Sequence, residues 1–169
     1  MTPDQLAKSG TEHAEQRALF AWANMTAMYG VAVASLDGSY TIKDYAKNFV
    51  LGIENEPGSS CPQLKWLHSI HNQGHGDAIR GSKAKAEGVK AGVADLFLPC
   101  PVGHGYSDFV EGSHTFCGLY IEMKRADKGK LSIEQSEFIH DMTNAGYKAV
   151  VCFGWKNARD EILKYLGLV

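Results

Sequence analysis

The segment Gly118-Leu119-Tyr120-Ile121-Glu122-Met123-Lys124 constrains this chain more than any other. Its apolar, β-rich content predicts a strand, and side chains at i and i+2 of a strand share a face, so Glu122 and Lys124 emerge side by side. Burying an ammonium beside a carboxylate costs several kcal/mol if either lacks a partner, and pairing does not reliably recover that cost. A sequence shaped by stability alone rarely places them there. A second β-rich run, Val93 to Leu98, contains Asp95. If Asp95 ends a strand beside Glu122, two carboxylates and an ammonium converge at one edge of a sheet. Carboxylates that close repel unless a cation lies between them. The competing reading is a surface ion pair on an edge strand, since an Asp followed later by E-x-K often arises by chance.

The surrounding pattern is α/β. Thr11 caps a helix in which Glu12, Glu15 or Gln16, Leu19 and Trp22 or Ala23 recur at three-and-four spacing, with Gly30 as its stop. Trp66 to Ile70 reads as a short strand, and Arg80 to Lys90 as a helical turn or two. Ser132 and Gln135 form a capping box for a helix that ends at Gly146. Lys148 to Phe153 reads as a buried strand and Asn157 to Leu166 as an amphipathic helix. Trp22 and Trp66 are expected in the core, and Trp155 in the core or at its rim. Residues 37–62 and 100–117 read as insertions or loops within a single domain over 1–169.

Composition excludes several classes. The net charge of −2 rules out a global polycation, so any phosphate-binding surface is local. Ala18 to Leu36 has no charged residue, but Asn24, Thr26, Gly30 and Ser35 argue against a membrane span. The four cysteines form no C-x-x-C pair, which argues for reduced thiols and a cytoplasmic protein.

Three ordered motifs go beyond E-x-K: Gly88-Val89-Lys90-Ala91-Gly92-Val93-Ala94-Asp95, then Glu122-Met123-Lys124, then Gly129-Lys130-Leu131-Ser132-Ile133-Glu134-Gln135. Together they resemble the VRR-NUC branch of the PD-(D/E)XK nuclease superfamily, of the phage or bacterial stand-alone type. The resemblance implies a restriction-endonuclease-like core, a central mixed sheet flanked by helices. It also implies Asp95, Glu122 and the Met123 carbonyl as ligands of Mg²⁺ or Mn²⁺, Lys124 as the catalytic lysine and Gln135 near the site. The family supplies a further glutamate to the metal site from the first helix, here Glu12 or Glu15, with the pattern T-E-x-x-x-Q favouring Glu12. Ala94 stands where the family usually has proline; proline there would fix φ without binding metal, so altered rigidity is expected and not lost chemistry.

Two segments each carry a local charge of +3: Arg80, Lys83, Lys85 and Lys90 against Glu87, and Lys124, Arg125, Lys128 and Lys130 against Asp127. They are the expected phosphate contacts, with Asn72 and His71 bordering the groove by resemblance. A His-Asn-His nuclease built on His71 and Asn72 lacks its other elements, and His68 and His71 face opposite sides of a strand. The expectation is a metal-dependent DNA endonuclease on branched DNA, a Holliday junction or flap, acting as a homodimer in the cytoplasm, the bacterial host's if phage-encoded. The alternative is a silent nucleic-acid-binding or assembly protein on the same scaffold.

Overall fold

The computed structural model describes residues 1–30, 61–70, 85–103, 116–127 and 129–168. Contacts group the chain into two compact units, each discontinuous in sequence: Met1–Leu67 with Met123–Gly129 and Cys152–Val169, and His68–Glu122 with Lys130–Val151. Of the segments read as insertions, 37–60 and 104–115 lie outside the described residues.

The first unit is helical. Helix α1 (Pro3–Ala7) opens on a capping box between Thr2 and Gln5 with proline in its first turn. This helix precedes the first one expected, at Thr11, and Thr2-Pro3-Asp4-Gln5 carries its signal. Helix α2 (Glu12–Tyr29) starts and stops as expected: Thr11 Oγ1 accepts from Ala14 N, and the Gly30 N–H donates to the Thr26 carbonyl at a φ of 87°. Ala18, Leu19, Trp22, Ala23 and Met25 are buried along it. It packs on α1, on a 3-10 helix (Pro62–Trp66) and on α4 (Trp155–Tyr165). Among the described residues no helix is long and apolar enough to cross a membrane.

The second unit holds β1 (His68–Ser69), β2 (Leu96–Leu98) and α3 (Ile133–Asn144), with the larger parts of β3 (Leu119–Lys124) and β4 (Lys148–Phe153). Among the described residues four strands form one sheet in the order β1-β2-β3-β4. β1 and β2 are antiparallel, as are β2 and β3. Lys148 N donates to the Gly118 carbonyl and Gly154 N to that of Lys124. Both bonds advance in step along the two chains, so β3 and β4 run parallel and the sheet is mixed. On one side of β2 and β3, Leu96, Leu98, Leu119 and Ile121 are fully buried. On the other, Phe97 stacks on Tyr120 at 4.3 Å between centroids, and Phe138 of α3 meets Tyr120 edge-on.

Four local expectations change. The strand expected over Trp66 to Ile70 is confined to His68–Ser69, because Pro62 starts a 3-10 helix that runs through Trp66. Trp66 is exposed and not core, with Lys65 Nζ 4.9 Å from its ring centroid. β4 is half-buried over most of its length, not buried. α4 begins at Trp155, two residues earlier than expected, and Trp155 itself is core. Within the loop read at 100–117, Val102 and Phe116 exchange both backbone hydrogen bonds, so pairing resumes beyond Pro99 and Pro101, which have no N–H to give.

All four cysteines are free thiols. Burial, with the Glu161 charge adding to it, pushes the Cys152 thiol up to about 12. The folded chain thus keeps a proton that the unfolded chain releases above roughly pH 8.5, and stability from this group falls as pH rises past that value. At pH 8 an alkylating reagent is expected to label exposed Cys117 in the native protein, and Cys61 and Cys152 only after urea unfolding. Replacing Cys152 by Ala is expected to flatten the alkaline loss of stability. Mass spectrometry of labelled peptides checks the first; equal labelling of Cys117 and Cys152 in native protein contradicts it.

Candidate active site

The register of β2 on β3 builds the centre of the site. Leu96 pairs with Ile121, Phe97 with Tyr120 and Leu98 with Leu119. Asp95 lies in a bend just before β2; continued by one step, the register would set it across from Glu122, on the face that carries Phe97 and Tyr120. Residues opposed in this way have Cβ atoms about 4.5–5.5 Å apart. The chain at Asp95 is held from its other side, where Ile70 N donates to the Asp95 carbonyl at 2.7 Å. Ala94 is buried, and the register holds without the proline that the resemblance leads one to expect. Glu122 is 1% exposed on a strand with neighbours on both sides. The edge-strand surface pair is therefore excluded.

A carboxylate this buried needs hydrogen bonds to remain charged. Gln135 gives it one: its Nε2 donates to Glu122 Oε1. The same side chain completes the α3 capping box, its Oε1 accepting from Ser132 N at 2.9 Å while Ser132 Oγ accepts from Gln135 N at 3.2 Å. One end of the amide thus serves the cap and the other meets Glu122. α3 is seated by a close approach: a Cβ on Gly92, which has a φ of +82°, would lie 2.5 Å from the Glu134 carbonyl carbon. That explains the second glycine of the first motif, to which the sequence reading gave no role.

In the helical unit, Lys124 is 5% exposed. A side chain on Gly129 would overlap the Lys124 stem, which only glycine lets the backbone approach. Glu12 Oε1 lies 4.0 Å from Lys124 Nζ. Glu15, 6% exposed, accepts from Trp155 N through Oε2 at 2.9 Å. The two glutamates that α2 offers are thus separated by their partners, Glu12 at the ammonium and Glu15 at the start of α4. Among the described residues no three His, Cys, Asp or Glu side chains gather as they would around one ion.

Of the expected nucleic-acid contacts, Lys85, Lys90, Arg125 and Lys130 are exposed. Arg125 lies 3.7 Å from Asp127 in a solvent-exposed pair that holds it only weakly. Asn72, Arg80, Lys83 and Lys128 lie outside the described residues, as do His71, His75, His104 and His114.

The family profile of the VRR-NUC domain matches residues 43–155, which include Asp95, Glu122, Lys124 and Gln135. The chain belongs to the VRR-NUC family. A solved structure described as a VRR_NUC domain protein is 25% identical, with a TM-score of 0.50 over 75% of this chain and 85% of that one. A search of curated proteins finds no match. As a VRR-NUC domain the chain has the restriction-endonuclease-like α/β architecture, a mixed sheet with flanking helices. It is of nuclease type, so its substrate is a nucleic acid, and the family typically uses a divalent metal. The match begins at residue 43 and so leaves out α2, the helix of Glu12 and Glu15.

The double use of Gln135 is testable. Gln135→Ala is expected to lose about 1 kcal/mol or more of stability, since it removes the bonds to Ser132 N and to Glu122 while the Ser132 cap stays. Gln135→Glu keeps the capping box but sets a carboxylate against Glu122. Repulsion raises the carboxyl pKa in the folded state, so the folded chain binds more protons and stability falls as pH rises above about 4. Urea unfolding should show Gln135→Glu closer to wild type at pH 5 than at pH 8; a gap that does not vary with pH contradicts the contact with Glu122.

Proposed function

We propose that this VRR-NUC domain is a Mg²⁺- or Mn²⁺-dependent DNA endonuclease that hydrolyses phosphodiester bonds in branched DNA, a four-way junction or flap, and acts as a homodimer. The observation that carries the reading is the pairing of Leu96 with Ile121, from which the next residues along each chain are Asp95 and Glu122. Two carboxylates offer hard oxygen donors and leave room for water and phosphate oxygens, the usual manner of holding Mg²⁺. Asp95 and Glu122 would hold the ion, with the Met123 carbonyl beside them. When bound, the ion supplies charge neutralisation at the phosphate and lowers the pKa of water.

The remaining work falls to the chain's own groups. Gln135 fixes Glu122 by donating to Oε1. Lys124, two residues further along the same strand, orients the attacking water or stabilises the negative charge that develops on the phosphate. Glu12, 4.0 Å from Lys124 Nζ, holds that ammonium in place. Lys85, Lys90, Arg125 and Lys130, with Arg80, Lys83, Lys128 and Asn72, contact the backbone of the DNA. A two-fold dimer suits a junction because paired cuts need paired sites.

The test is cleavage of a labelled four-way junction and flap, with Mn²⁺ or EDTA, beside Lys124→Ala and Asp95→Ala. Cutting that requires metal and falls by about 10²-fold or more in each variant is expected, the scale of losing one stabilising group in a transition state. Binding without cutting in the wild-type protein would favour the silent scaffold. Affinity measured in EDTA should fall linearly with the logarithm of salt concentration as counterions are released; a flat dependence contradicts phosphate contacts through the two basic segments.

A further inference from the structure

We propose that Glu15 is a positioning residue for Lys124, acting through the main chain where β4 meets α4, and not a ligand of the ion; this rests on the reading of Lys124 as catalytic. Glu15 is nine-tenths buried, and a carboxylate in that state must be hydrogen-bonded. Its Oε2 accepts from Trp155 N at 2.9 Å, a bond spanning 140 residues of sequence. The residue at the N-cap of α4 is Gly154, which has no side chain to cap with. Glu15 fills that place from α2, its carboxylate oxygen accepting as an N-cap side chain would.

The amide one residue earlier completes the link. Gly154 N donates to the Lys124 carbonyl at 2.9 Å. Gly154 has a φ of +80°, and a Cβ there would lie 3.2 Å from Ala126 Cβ and 3.5 Å from Glu15 Oε2. Successive amides, Gly154 and Trp155, thus point to the Lys124 main chain and to the Glu15 carboxylate. With Glu15 removed, the Trp155 amide is left without its buried acceptor, and the junction that fixes Lys124 at the end of β3 loosens. Glu12, one helical turn before Glu15, meets the other end of the same lysine. The start of α2 therefore governs Lys124 at both its ammonium and its backbone.

The role demands an acceptor but no negative charge, and this separates it from metal ligation. Glu15→Gln keeps an acceptor oxygen; Glu15→Ala does not. Three quantities decide the matter: junction-cleavage kinetics, Mn²⁺ affinity by calorimetry, and hydrogen exchange of the Gly154 and Trp155 amides. Glu15→Ala is expected to lower kcat by about tenfold or more, the scale of a small misplacement of a reacting group, with KM unchanged. It should leave Mn²⁺ affinity intact and speed exchange at both amides, and Glu15→Gln should restore kcat and protection. The proposal is overturned if Glu15→Gln weakens Mn²⁺ binding, if it is as deficient as Glu15→Ala, or if Glu15→Ala leaves exchange at Gly154 unchanged. Should Glu15→Ala not fold, Glu15→Gln alone decides, since retained Mn²⁺ affinity and cleavage support positioning and their loss refutes it. A wild-type protein that cuts no junction defeats the nuclease reading instead, while exchange at Gly154 still reports whether Glu15 holds the backbone of Lys124.

Discussion

The antiparallel pairing of β2 with β3 is the constraint from which the rest of the site follows. It is a short contact, three residue pairs from Leu96↔Ile121 to Leu98↔Leu119, yet it fixes which side of the sheet is apolar and which is chemical. Side chains alternate along a strand, so a slip of one residue would turn Leu96 and Leu98 out of their buried face and Asp95 away from the side of Glu122. Leu96, Leu98, Leu119 and Ile121, all fully buried, oppose that slip by roughly 1.5–3 kcal/mol for each side chain that would be exposed. The carboxylates are unfavourable to bury and contribute nothing to choosing the register. The leucines and the isoleucine choose it, and Asp95 and Glu122 follow from it as the next residues along each chain.

A second principle is that single side chains and single glycines serve two neighbours at once. Gln135 caps α3 with its oxygen and holds Glu122 with its nitrogen, so the start of that helix cannot shift without disturbing the site. Gly129 exists where it does because the Lys124 stem passes beneath it, and Gly92 because the backbone at Glu134 does. These contacts make a buried Glu and a buried Lys tolerable. Gln135 meets one oxygen of Glu122 and Glu12 lies 4.0 Å from Lys124 Nζ, partners that offset part of the desolvation cost.

Much of this was legible before any coordinates. The period of α2, the caps at Thr11 and Ser132, the glycine stops and the strand through Glu122 are local signals, and local signals survive in the fold. The approach of Asp95 to Glu122 is stated from sequence only as a condition, because register depends on pairs 21 to 25 positions apart and on the apolar set that selects it. Trp66 departs from its expected place in the core because Pro62, four residues earlier, starts a 3-10 helix that leaves it exposed. The roles of Gly92 and Gly129 were hidden, since a glycine announces space without saying what fills it. Glu15 was the hardest to read. A glutamate in the first turn of a helix is unremarkable, and nothing local reveals that its acceptor role lies at the start of another helix 140 residues away.

The most direct test of the central claim is crystallographic: Mn²⁺ soaked into crystals of the protein and located by its anomalous scattering. A single strong peak within coordination distance of both the Asp95 and Glu122 carboxylates, lost in the Asp95→Ala protein, is the predicted result. No peak at that pair, or one that persists without Asp95, would contradict it.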